Sequence, residues 1–451
     1  MYVTKVKLRN IACFEDLELD FTNADGKPRM MTVLLGENMA GKTMFSKAVC
    51  LALAGETAQT ILVSRPDDYH RQQARGLSAE CRVSIEGGAD AVFVPVYPNE
   101  PTPAVRPTLR RHNVVGYGTN RLALREDRVD ESRLDRRIAP YESLFDDRPH
   151  LLPYPYARFT ARMVAVPFAG SDDPAVDEEA AQIASALYQH RSDSFEEVIR
   201  NMVGDKVTLT ETGSALGPLF HFDGFDGVDL AFGQLSDGYR AAFTLAGDLY
   251  RRLLDMTSNP GLDDPRLISA VVLIDEIDLL LHPRWQRVVL QGLRDAFPNV
   301  QFIVTTHSPV TSLGAKEGEI VVLKREGNHV VAKTDLPSVA GWRADQLLVS
   351  DFFGLPTAVD VATEDRIKEY RALAARSTLN AEETAKLHEL AAALVLLPYR
   401  LPGIDRAAIE VGLQDAEQLA KAQALPEAER QRRQHRALEA LRRAAEKVVE
   451  R

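Results

Sequence analysis

The sequence predicts an α/β protein with a mixed central sheet, a helical lobe and a C-terminal helical extension. Three observations predict it. Apolar runs of strand length, Met31–Leu35, Leu267–Ile274 and Val300–Val304, each stop at polar residues. Thr43–Ala54 follows the first run across a glycine-containing loop and has helical character, with Met44, Ala48, Leu51 and Leu53 apolar and no proline. Beyond about residue 356 the chain turns rich in Ala, Glu, Leu and Arg, which favours helix.

The elements follow in order. Val3–Leu8 alternates, with Val3, Lys5 and Lys7 against Thr4, Val6 and Leu8; Leu17–Phe21 alternates again after a turn expected at Glu15-Asp16. Glu80–Ile85 and Ala91–Val96 read as a hairpin across Gly87-Gly88-Ala89-Asp90. A proline-rich link from Pro95 to Pro107 leads to Val114-Val115, a strand end running into Gly116-Tyr117-Gly118. Ser171–Asp205 is expected to be helical, and Val207–Thr212 and Leu219–Phe222 to be strands. Phe243–Met256 is expected as a helix after a polar loop, Leu267–Ile274 as a strand and Trp285–Ala296 as a helix. Val300–Val304 is a second buried strand, and Ile320–Leu323 with His329–Ala332 a last hairpin. Asn380 and Glu383 have the spacing of a capping box at a helix start.

Composition narrows the class. The 451 residues allow two or three domains, and 45% apolar with 26% charged is ordinary for a globular chain. No apolar run approaches the roughly 18 residues of a membrane helix. Met1–Phe21 lacks the apolar stretch of a signal peptide, so a cytoplasmic protein with no membrane partner is expected. Cys13, Cys50 and Cys81 are odd in number and far apart, which fits a reducing compartment and no disulfide framework. A net charge of −11 excludes a polycationic nucleic-acid coat, though not a local basic groove.

Four segments carry chemistry. Gly36-Glu37-Asn38-Met39-Ala40-Gly41-Lys42-Thr43 fits the phosphate-binding pattern GxxxxGK[ST], between a strand and a helix as that pattern requires. Its backbone N–H groups and the helix N-terminus would hold phosphate oxygens, Lys42 would reach the β- and γ-phosphates, and Thr43 would ligate Mg²⁺. Val271–Ile274 runs into Asp275-Glu276. Asp275 would hold Mg²⁺ through water and Glu276 would act as general base, the pleat sending the two carboxylates to opposite sides. Gln301–Val304 leads to Thr305-Thr306-His307-Ser308-Pro309, where His307 would sense the γ-phosphate. Gln234-Leu235-Ser236-Asp237-Gly238-Tyr239-Arg240 precedes a helix; Ser236 reads either as its N-cap or as a second anion site used in trans.

In this order the four segments resemble the ABC-type ATPases of the RecF/SMC/OLD-like branch, over about residues 1–355. Gly36–Thr43 corresponds to Walker A, Leu235–Gly238 to the signature motif with Asp237 at the usual glycine, Ile274-Asp275-Glu276 to Walker B and His307 to the switch histidine. The opening N-x-x-C-F-E-D (Asn10 to Asp16) also fits, with Ala12 in place of a common arginine. Within the branch, GYGxxR (Gly116–Arg121), LSDGYR (Leu235–Arg240), DEIDLxLHPRWQ (Asp275–Gln286), FPNVQFIVTTHSP (Phe297–Pro309) and FGL (Phe353–Leu355) resemble a group of bacterial AAA family ATPases. That group includes the ATPase subunit of the Septu anti-phage system and ATPases paired with retrons; Leu280 stands where it commonly has histidine.

The resemblance implies a P-loop ABC-type ATPase head using ATP and Mg²⁺. Two heads would pair head-to-tail, Ser236 and Gly238 of one touching the γ-phosphate held by Lys42 of the other. Hydrolysis by Glu276 would release them, with Asp278 near the seam. A Q-loop is not legible in the sequence; Gln72, Gln73 and the loop after Tyr117 are the candidates. The expected domains are 1–139, lobe I with Walker A; 140–229, a helical lobe; 230–355, with signature, Walker B and switch histidine; and 356–451, a helical partner-binding extension. The expected role is the ATPase of a defence system controlling a separate effector such as a nuclease. The alternatives are a RecF-like DNA-repair ATPase and a nucleotide-gated scaffold with little turnover. DNA stays a candidate ligand through Arg106–Arg137, which holds nine arginines against five acids, although a solvated ion-paired face explains that stretch as well. The tail from Pro426 reads as an exposed ion-paired helix.

Overall fold

A computed structural model describes residues 1–72, 77–95, 112–119, 138–146, 151, 193–202, 207–210, 219–222, 229–257, 264–376, 378–395, 407, 409–414 and 427–446. Two compact units divide the chain, Met1–Gly354 and Leu355–Arg451.

The first unit is built on a six-stranded sheet in the order β13-β12-β3-β11-β10-β6. Its strands are β3 (Met31–Gly36), β6 (Val114–Tyr117), β10 (Ala270–Ile274), β11 (Val300–Thr305), β12 (Ile320–Glu326) and β13 (His329–Lys333). All neighbouring pairs are parallel except β12–β13, so the sheet is mixed. β3, β10 and β11 are buried along nearly their whole length because both faces are covered. On one face Val33, Val272, Ile274, Phe302 and Val304 pack with helix α2 (Asp237–Asp255) and helix α3 (Val289–Ala296). On the other, Leu34, Val271, Leu273 and Ile303 meet helix α1 (Lys42–Ala54).

Against α1 lies an antiparallel sheet, β2-β1-β4-β5, made of β1 (Val3–Ile11), β2 (Phe14–Asp20), β4 (Glu80–Ile85) and β5 (Ala91–Phe93). The buried Gln301 side chain fastens it to the central sheet, accepting from Val3 N–H at 2.7 Å and donating to Val3 O at 2.8 Å. A separate sheet joins β7 (Val207–Thr210), β8 (Leu219–Phe222) and β9 (Asp229–Ala231).

Several boundaries differ from expectation. The β1–β2 turn falls at Ala12-Cys13, where Asn10 (φ 51°) and Ala12 (φ 47°) take left-handed backbone; Glu15 and Asp16 are exposed strand residues. β1 does not alternate cleanly, since Val3 and Val6 are both buried across a register shift between Val3 and Lys5. β10 begins at Ala270, because Pro265–Leu267 forms a 3₁₀ turn that leaves Leu267 exposed. α2 starts at Asp237, six residues before its strongest apolar face, because its first turn is polar and solvated. Trp285–Ala296 is split between a short helix, Pro283–Gln286, and α3. Of the helix expected over 171–205, residues 193–202 are described and helical; most of the proline-rich link and of the 106–137 segment lies outside the described residues.

The second unit contains helices α4 (Val361–Ala374), α5 (Ala381–Val395) and α6 (Glu427–Glu446) around Ile367, Tyr370, Leu387, Leu390 and Leu441. Asn380 and Glu383 form the reciprocal capping pair, Glu383 N–H to Asn380 Oδ1 at 2.8 Å and Asn380 N–H to Glu383 Oε2 at 2.9 Å. Among the described residues no helix is long and apolar enough to cross a membrane.

Candidate active site

β3, β11, β10 and β6 are adjacent and parallel, so the loops at their C-terminal ends meet along one edge of the sheet. That edge is where open α/β sheets place ligands.

The loop leaving β3 needs its glycines. A Cβ on Gly36 would stand 2.6 Å from Leu323 O, and one on Gly41 2.4 Å from Cys13 Sγ. Gly41 also has φ 84°, as the residue preceding α1. Met39 takes a left-handed backbone (φ 68°) and projects outward, 82% exposed, so the side chain neither fills the loop nor blocks it. Glu37, Asn38 and Thr43 are exposed and Ala40 is buried. Lys42 folds back into the loop, its Nζ donating to Gly36 O at 2.7 Å and Glu37 O at 3.1 Å. Burial draws the Lys42 ammonium below its usual range, opposed by Asp275, Glu276 and Asp278.

Thr43 Oγ1 donates to Asp275 Oδ2 at 2.5 Å, so the two oxygens expected to hold the metal are already neighbours. Among the described residues no three His, Cys, Asp or Glu side chains form a metal cluster. A hydroxyl and one carboxylate fit Mg²⁺, which takes phosphate oxygens and waters for the rest of its shell.

Asp275 and Glu276 are separated differently from expectation. β10 ends at Ile274, and Glu276 has φ 49°, so a left-handed turn rather than strand pleating parts the two carboxylates. Asp275 is buried, Glu276 partly exposed. Three backbone donors fix this turn: Asp275 N–H to Tyr117 O at 2.8 Å, Glu276 N–H to Thr305 Oγ1 at 2.8 Å and Ile277 N–H to Thr305 O at 2.9 Å. His307 Nε2 lies 3.9 Å from Glu276 Oε1. Burial, then the Lys42 ammonium, hold the His307 imidazole below its usual range, against the pull of Glu276, Asp278 and Asp275. Lys42, Thr43, Asp275, Glu276 and His307 therefore converge.

Ser236 and Gly238 lie at the start of α2. Ser236 precedes α2 in the N-cap position, yet its exposed hydroxyl makes no capping bond. Gly238 is pressed against the segment after Glu276: a Cβ there would lie 2.9 Å from Trp285 Cζ3 and 3.1 Å from Leu280 O. Thr306 Oγ1 donates to Asp278, and Gln286 ties Asp278 O and Leu281 O to the Ser308 hydroxyl, which donates to Gln286 Oε1 at 2.7 Å. Of the Q-loop candidates, Gln72 is exposed, Gln73 lies outside the described residues, and Gly118 after Tyr117 is packed on Ser143 O.

Sequence reasoning passed over Thr305, Gln286 and Trp285. The hint for Thr305 was present: two threonines ending an otherwise apolar strand need buried partners.

Two family models match this chain. One described as "AAA domain" covers residues 5–93; one described as "AAA domain, putative AbiEii toxin, Type IV TA system" covers 111–313. Over residues 5–93 and 111–313 the chain is thus similar to AAA domains, and its sheet order and phosphate loop are those of a P-loop nucleotide-binding fold. The chain is similar to the Septu protein PtuA of Bacillus mycoides (strain KBAB4), 27% identical over 367 residues, which is 78% of this chain and 45% of that protein. It is also similar to the Retron Vc95 probable ATPase of Vibrio cholerae serotype O1 biovar El Tor, 31% identical over 36% of this chain and 31% of that protein. The chain thus spans less than half the length of these curated relatives. An SMC head domain from Thermotoga maritima aligns at 14% identity and TM-score 0.37, covering 75% of this chain and 100% of that domain.

Proposed function

We propose that this chain is an ATP-hydrolysing switch whose heads pair head-to-tail on ATP, serving as the ATPase subunit of an anti-phage or mobile-DNA defence system that controls a separate effector. The observation carrying this reading is the convergence of Lys42, the Thr43–Asp275 pair and the Glu276–His307 pair on one sheet edge.

The chemistry follows from those groups. The loop N–H groups and Lys42 hold the triphosphate. Thr43, and Asp275 through water, would hold Mg²⁺, which would supply the neutralisation of phosphate charge. Glu276, with its carboxylate open to solvent, accepts a proton from the attacking water. His307, kept neutral at pH 7 by its surroundings, donates an N–H to the γ-phosphate. In this reading the Ser236 hydroxyl, which makes no capping bond, acts on the nucleotide of a second head.

The defence role rests on what the relatives are named, the Septu protein PtuA and the retron probable ATPases. The effector, a nuclease in trans, docks in this reading on residues 356–451, and the protein works in the cytoplasm.

Glu276→Gln is the test. It should bind ATP, hydrolyse it about 100-fold more slowly or worse, and accumulate as a dimer or larger assembly by light scattering. Wild-type turnover in that variant would remove the assignment of the base. A monomer under saturating ATP would remove the head-to-tail switch.

A further inference from the structure

We propose that Thr305 is the positioning residue of the hydrolytic pair: one buried hydroxyl sets both the Asp275 carboxylate and the Glu276 backbone. The inference rests on the ATPase reading above and goes beyond it to a residue to which that reading gives no role.

A threonine hydroxyl has one proton to give and two lone pairs. At Thr305 the proton goes to Asp275 Oδ1 at 2.6 Å, and a lone pair accepts the N–H of Glu276 at 2.8 Å. The same residue's carbonyl accepts the N–H of Ile277 at 2.9 Å. Thr305 is fully buried, so water does not compete for these bonds. As a β-branched residue in a strand it has few rotamers, which aims the hydroxyl.

The two consequences are separate. Asp275 is gripped on both sides: Thr43 holds Oδ2 and Thr305 holds Oδ1. Thr43 is itself an expected metal ligand, so a bound metal would disturb its bond to Asp275, whereas Thr305 holds the other oxygen from outside the expected ligand set. Glu276 sits at φ 49°, a conformation that a residue with a Cβ adopts only when its surroundings enforce it. Thr305 supplies that enforcement through the N–H groups of Glu276 and of the next residue. A change at Thr305 therefore reaches the metal carboxylate and the base together, while the phosphate loop keeps its own bonds.

Thr305→Val keeps the shape and removes the hydroxyl; Thr305→Ser keeps the hydroxyl and removes the methyl. In the full chain, Thr305→Val should bind a fluorescent ATP analogue within about three-fold of the parent. Its kcat should fall by about 100-fold, the scale of misplacing a catalytic group, and its Mg²⁺ requirement for turnover should rise about 10-fold. Thr305→Ser should recover most of both. A merely structural threonine would not give that split between binding and kcat, nor the Mg²⁺ shift. Should Thr305→Val precipitate, Thr305→Ala takes its place under the same limits. Turnover within three-fold of the parent in a folded Thr305→Val, with Glu276→Gln inactive, overturns the role of Thr305 and leaves the ATPase reading standing. Parent-like turnover in Glu276→Gln overturns both.

Discussion

Removing one oxygen, by Tyr117→Phe, tests how the buried charges of the head are held. Tyr117 is fully buried on β6, and its hydroxyl donates to Asp248 Oδ2 at 2.9 Å. Asp248, fully buried on α2, also accepts from Arg252 one turn on and from Arg251 at 3.2 Å. The Arg252 guanidinium lies 5.9 Å from the centre of the Tyr117 ring and donates to Ala139 O. Burial raises the Tyr117 hydroxyl well above its usual range, so it stays a donor. Burial also works against the Asp248 charge, but Arg252 and Arg251 outweigh it and hold the carboxyl below its usual range. The substitution thus deletes one hydrogen bond to a charged acceptor, in the range of roughly 1.5–3 kcal/mol, and leaves both arginines and the ring in place. About 2 kcal/mol is expected. Arg252→Met should cost more, about 3–5 kcal/mol, because it removes the closest counter-charge from a buried carboxylate. The assay is guanidinium unfolding followed by circular dichroism, with the midpoint falling at unchanged slope. A cost below about 0.5 kcal/mol would mean the hydroxyl adds nothing. A cost equal to that of Arg252→Met would mean the arginines do not keep Asp248 satisfied.

Three further outcomes are expected. The stability contributed by Asp248 should be constant from neutral pH down to the ordinary carboxylate value of about 4 and be lost only as pH falls further, through its depressed folded value; loss already at pH 6 in a pH series of the same unfolding curves would contradict it. Ser236→Arg should bind ATP and fail to turn it over; normal hydrolysis, or a monomer without nucleotide, would exclude action in trans. The purified chain incubated with plasmid and linear DNA, ATP and Mg²⁺ or Mn²⁺ should leave both intact, because the function proposed above leaves cleavage to a separate effector; cleavage that stays with this chain through purification would refute it.

Much of the head was legible because burial on both sheet faces writes continuous apolar runs, as in Met31–Leu35 and Val300–Val304. The phosphate loop was legible because its glycines are dictated by contacts that admit no side chain. What was hidden had other causes. Glu15 and Asp16 looked like a turn because they are charged, but a solvated strand face takes charge as readily, and the bend is made by left-handed Asn10 and Ala12. The turn at Glu276 has no compositional mark, since it is imposed by Thr305 from another strand. The Tyr117–Asp248 bond joins residues 131 apart, and no local pattern reports a partner at that distance.

The carboxylate dipeptide is carried on backbone bonds from two strands rather than on a free loop. β11 holds Glu276 and Ile277 through Thr305, and β6 holds Asp275 through the Tyr117 carbonyl. Tyr117 is also the residue whose hydroxyl fastens β6 to α2, the helix that follows Ser236. One residue thus holds the backbone N–H of Asp275 with its carbonyl and helix α2 with its hydroxyl. Tyr117→Phe leaves the carbonyl bond to Asp275 intact while loosening α2, so the two ends of this connection separate experimentally. If α2 is steadied through Asp248, the variant, on the function proposed above, loses more of the ATP-driven pairing of heads than of nucleotide binding by one head. Equal losses in both would place the effect of Tyr117 on the phosphate side of the sheet instead.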